Sequence, residues 1–202
     1  MKRFAMFLAL GGAMLLIAPI SHAARFSVGL AGSNENPANG SPGVGSGFVD
    51  LNPVAHTLRV SVTFSGLTAN TVAAHIHCCV LPPGNAGVAT TTPSFTGFPL
   101  GVTSGTFDAT FDTTLASSWN PAFITANGGT PLTAETALLN GMLATSTYLN
   151  IHTSAFPGGE IRGFLTIQDP SNIPTLAQGA LVALVAALLL LGFAMMRRQQ
   201  GR

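Results

Sequence analysis

The 202-residue chain carries only eight Lys/Arg and seven Asp/Glu, and 47% of its residues are apolar; ordinary soluble domains carry about 25% charge. All seven acids lie between Glu35 and Asp169, while five of the eight bases sit at the ends as Lys2, Arg3, Arg197, Arg198 and Arg202. The stretch from Ala24 to Asn172 therefore sets three arginines against seven acids, with no lysine and a net charge of −4, which excludes nucleic-acid binding by phosphate neutralisation.

Met-Lys-Arg, an apolar run from Phe4 to Ile20 and the small residues Ser21-His22-Ala23 have the layout of a secretory signal peptide. Residues 1–23 are expected to be removed after Ala23, and Pro19 argues against a retained helix. Residues 24–169 then read as one domain, long enough for one core and too short for two.

Its segments alternate in the manner of strands. In His56-Thr-Leu-Arg-Val-Ser-Val-Thr-Phe64, Leu58, Val60, Val62 and Phe64 share one face and Thr57, Arg59, Ser61 and Thr63 the other. Further strands are predicted at Phe26–Leu30, Gly47–Leu51, Val72–Val80, Gly105–Phe111, Tyr148–Thr153 and Ile161–Ile167, separated by turns such as Pro82-Pro83-Gly84-Asn85 and Pro157-Gly158-Gly159. Two short helices are expected. Thr114–Ala126 is interrupted by Pro121, and Thr133–Leu143 has Thr133 as N-cap and Glu135 in its first turn. The predicted fold is all-β: an antiparallel Greek-key β-sandwich with one or two short helices, followed by a C-terminal transmembrane helix.

The candidate site lies on two of these strands. Period 2 sends His75 and His77 to one face and Val72, Ala74, Ile76, Cys78 and Val80 to the core. On the later strand Leu149 and Ile151 point inward, leaving Tyr148, Asn150 and His152 opposite. If the strands are neighbours, His75, His77 and His152 converge on a solvent-facing flank, as a three-imidazole set suited to copper or zinc. The alternative is that the rings simply hydrogen-bond loop carbonyls or carboxylates. Glu160 would then accept an imidazole N–H, a role it would equally fill behind a metal. Glu160 and Arg162, flanking Ile161, would otherwise form a surface ion pair. Cys78 and Cys79 are adjacent, so a bridge between them requires the strand to end at His77; with free thiols, Cys79 is a candidate fourth ligand.

Ala74-His75-Ile76-His77, then Tyr148-Leu-Asn-Ile-His152-Thr, then Phe156-Pro-Gly-Gly-Glu160-Ile-Arg162-Gly163-Phe-Leu165 resemble the CHRD domain, named for repeats in chordin. The resemblance covers roughly Arg25 to Ile167 and implies a compact β-domain acting as a non-catalytic structural or interaction module. A His-x-His strand in a sandwich is also similar to the copper site of Cu/Zn superoxide dismutases. Those enzymes need six histidines and an aspartate, and four histidines remain after residue 23. No catalytic residues and no organic cofactor are expected.

Residues 170–202 form the tail. Ala180–Met196 is apolar and uncharged and reaches the lower limit for a membrane-spanning helix, and Arg197 to Arg202 form a basic end that stays cytoplasmic. Ile173-Pro-Thr-Leu176 before this span resembles the IPTL-CTERM sorting signal, a cousin of the PEP-CTERM tails of Gram-negative bacteria. That resemblance implies a transient membrane anchor, a sorting protease as partner, and a final place in the cell envelope, at the cell surface or in extracellular matrix, among extracellular polymers or surface proteins.

Overall fold

The computed structural model of the chain describes residues 23–168. The expected signal sequence up to His22 and the expected tail, with its transmembrane helix at 180–196, lie outside the described residues. Among the described residues no helix is long and apolar enough to cross a membrane.

Eight strands follow in order: β1 (Ala24–Ala31), β2 (Val44–Asn52), β3 (Thr57–Ser65), β4 (Thr71–Cys78), β5 (Gly105–Asp112), β6 (Thr147–Thr153), β7 (Ile161–Phe164) and β8 (Thr166–Ile167). Helices α1 (Pro121–Ala126) and α2 (Pro131–Leu143) lie between β5 and β6. All pairings are antiparallel, in the spatial order β4-β6-β7-β1-β2-β3-β5. The expected all-β antiparallel architecture with two short helices is therefore present. The two separate sheets of a sandwich are not: the strands make one continuous sheet, a half-barrel curled round a single core.

That core runs from Ala74 and Ile76 of β4 through Leu149 and Ile151 of β6 and Phe26 and Val28 of β1 to Val60, Val62 and Phe64 of β3. The open side is closed by the segment after β4. Ala89 donates its N–H to Ile76 and Phe95 to Ala74, tying this segment to the edge of β4. Phe95 and Phe98 then reach the far edge. Phe95 stacks on Phe107 and Phe111 with centroids 5.8 and 5.4 Å away, and Phe98 on Phe64 at 5.5 Å.

Several boundaries differ from the predicted ones. Pro121 starts α1 instead of breaking a longer helix, because Asn120 caps it and a proline at the first position gives up an N–H with no partner there. For the same reason α2 begins at Pro131, capped by Thr130 in a reciprocal box with Thr133. Glu135 thus falls beyond the first turn, where it is buried and accepts hydrogen bonds from Thr113 and His56. The predicted strand at 161–167 is divided at Leu165, whose N–H goes to Thr147. Beyond that break β8 pairs with β1, Phe26 opposite Ile167, and Gln168 donates to the Arg25 carbonyl.

Candidate metal centre

Strands β4 and β6 are neighbours, with His75 opposite Asn150, His77 opposite Tyr148 and Ala73 opposite His152. Side-chain alternation therefore gathers His75, His77 and His152 on one face. Their ring centroids lie 5.9, 5.2 and 5.7 Å apart, and one nitrogen from each ring lies within 4.8 Å of the others. The three expected ligands converge.

The face they occupy is not the solvent-facing flank that the sequence suggests. Each ring is 7% exposed, and every residue of β6 is buried on both sides. The cover comes from loops. His75 Nε2 donates to the Pro93 carbonyl at 2.7 Å, His77 Nδ1 to Ala86 at 2.9 Å and His152 Nδ1 to Pro157 at 3.0 Å. A carbonyl can only accept, so each contact fixes the tautomer and leaves the other nitrogen as a lone pair. Those three nitrogens, His75 Nδ1, His77 Nε2 and His152 Nε2, are buried and have no hydrogen-bond partner. Burial pushes His75 and His77 down to about 4 and lowers His152 as well, so the rings are neutral at pH 7 and protons do not compete for the lone pairs. Metal–nitrogen bonds of about 2.0–2.1 Å put donors ~3.5 Å apart, so the rings need to close by about an ångström.

Glu160 does not serve this centre. Its carboxylate is fully buried and accepts from Ser41 Oγ at 2.6 Å, Thr68 N at 2.5 Å and Thr153 Oγ1 at 2.5 Å. Burial would raise its pKa, but these donors outweigh burial and hold the carboxyl below the usual range. The part expected of Glu160 is taken by three backbone carbonyls. Nor does it form a surface pair with Arg162, which is itself 1% exposed. Cys79 is not a ligand either, since Cys78 and Cys79 are joined in a disulfide at the end of β4; the strand runs one residue past His77. His56, the fourth histidine, lies apart and contacts Glu135.

Around the histidines stands a polar layer that the motifs did not disclose. Tyr148 stacks on His77 with centroids 4.8 Å apart and planes 5° from parallel, and the Arg162 guanidinium lies 4.7 Å over the Tyr148 ring. Arg162 donates to Asn34 O, Asn85 Oδ1 and Pro83 O, and Glu35 Oε2 lies 3.7 Å from its Nε. Burial pushes Glu35 up to about 7 against the opposing pull of Arg162 and Asn150. In the sequence, Tyr148 and Asn150 were visible only as face-mates of His152. Nothing marked Glu35.

No curated protein and no solved structure matches this chain. The CHRD domain family matches residues 26–165, a span that includes β4, β6 and all three converging histidines. The chain belongs to the CHRD domain family.

Proposed function

We propose that this CHRD domain works outside the cytoplasm as a non-catalytic metal-binding module, taking one copper or zinc ion between His75, His77 and His152. One observation carries this reading: the three rings bring one nitrogen each within 4.8 Å of the others, and each ring keeps a buried nitrogen without a partner. A buried polar atom without a partner costs about 1–3 kcal/mol, and a fold rarely leaves three together. A purely structural or interaction module would have no use for them. The carbonyls behind each ring supply the orientation that metal-bound histidines generally have.

Export is supported by the charged and apolar start of the chain and by the Cys78–Cys79 disulfide, a bond that persists in oxidising compartments. The basic end and the Ile-Pro-Thr-Leu sequence favour a transient membrane anchor released by a sorting protease, leaving the domain at the cell surface or in the matrix. The reading includes no catalytic step.

Metal titration of the purified full chain tests it. The wild type is expected to bind one equivalent of copper or zinc. His75→Ala and His152→Ala are expected to weaken binding by at least about 100-fold, since even the partners behind metal ligands are worth 10–100-fold. Equal affinity in folded wild type and variants would discard the site and leave the structural-module reading.

A further inference from the structure

Resting on the three-histidine reading, we propose that the ion this site selects is monovalent copper. The donor set offers no negative charge. Each imidazole already gives its N–H to a carbonyl, so none serves as an imidazolate. The cluster contains no carboxylate and no thiolate among the described residues. Glu160 is held by Ser41, Thr68 and Thr153, Glu35 faces Arg162, and both cysteine sulfurs are closed in the disulfide.

Any ion between these rings therefore keeps its full charge in a buried place, and a fixed positive charge stands behind one of the rings. Arg162 is stacked over Tyr148, which is stacked in turn on His77. The cost of burying an ion rises with the square of its charge, so a dication is penalised roughly fourfold more than a monocation. Coordination number points the same way. Zinc on three histidines completes a four-ligand set with water, and cupric copper takes a tetragonal set. Both therefore need further ligands in a closely covered place, whereas monovalent copper is satisfied by three neutral nitrogens in a trigonal arrangement. The loops that leave the rings 7% exposed would also shield such an ion from oxidants.

The test is a chelator competition on the purified full chain. Copper is kept monovalent with ascorbate, which leaves the disulfide intact, and zinc is titrated against a second chelator. Monovalent copper is expected to bind at least 100-fold more tightly than zinc and to displace it stoichiometrically. Zinc binding as tight as copper or tighter would overturn the proposal while the three-histidine site stands. Failure of both ions to bind would remove the site itself. Asn150→Asp, which adds a carboxylate on the same face opposite His75, is expected to cut the copper-to-zinc preference at least tenfold; an unchanged ratio in the folded variant would also overturn the charge argument.

Discussion

Burial raises Glu35 to about 7 and lowers His75 and His77 to about 4, from ordinary values of 4.5 and 6.5. As pH falls from 6.5 to 4, the unfolded metal-free chain takes up protons that the folded histidines refuse, so their contribution to stability is lost. The carboxyl acts in the opposite sense. Below 4.5 its contribution is fully present, and it is lost as pH rises through 7, because the folded protein keeps a proton that the unfolded chain releases. The histidines outnumber the single glutamate, so the denaturation midpoint of the metal-free protein is expected to rise between pH 4 and 6.5. Glu35→Gln removes the opposing group and makes the rise steeper. Parallel midpoint curves for the two proteins would show that Glu35 titrates alike folded and unfolded. The histidines themselves were legible in the sequence because a two-residue period fixes a face wherever the pairing happens to be. Arg162 and Glu160 were misread because two charges sharing the polar face of a strand look solvated. Nothing local announces that Asn34, Pro83 and Asn85 return over the sheet to bond Arg162, or that Ser41 and Thr68 come to hold Glu160.

Among the strands, β7 and β1 cross in close backbone contact. A Cβ on Gly163 would run into the Gly29 carbonyl and come within 2.8 Å of Val28 Cγ2. Glycine is thus required there for close approach of two backbones, not for a turn. Gly163→Ala is expected to cost about 1–3 kcal/mol, as overpacking does, read from the urea midpoint. Gly158→Ala, with open space at its Cβ, is expected to change little. Equal midpoints for the two variants would mean that the join yields without cost. Alternation located seven of the strands because each has an apolar face to bury. It placed helix starts poorly because Pro121 was read as a breaker and Thr133 as a cap, although Pro121 and Pro131 both occupy the first turn. It also joined β7 to β8 because nothing in Ile161–Ile167 marks the interruption at Leu165.

At the scale of the whole molecule, the half-barrel depends on aromatic rings spanning its open side. Phe95, 3% exposed, links the edge of β4 to Phe107 and Phe111 on β5. Phe95→Ala is expected to destabilise the protein by about 3–5 kcal/mol, as truncating a buried phenylalanine does, measured by urea denaturation. A loss within 1 kcal/mol would show that the far edge stands unaided. This closure was not legible beforehand. Alternation reports the two faces of a strand but not which strands pair, and β4 travels to the opposite end of the sheet from its sequence neighbours β3 and β5. The short pairing of β8 on β1 sets Ile167 across from Phe26, so the polypeptide enters and leaves at one corner. A unit with its doorway at a single point can be strung beside copies of itself from a common stalk, or spliced into a surface bend of an unrelated host, without prying the host apart.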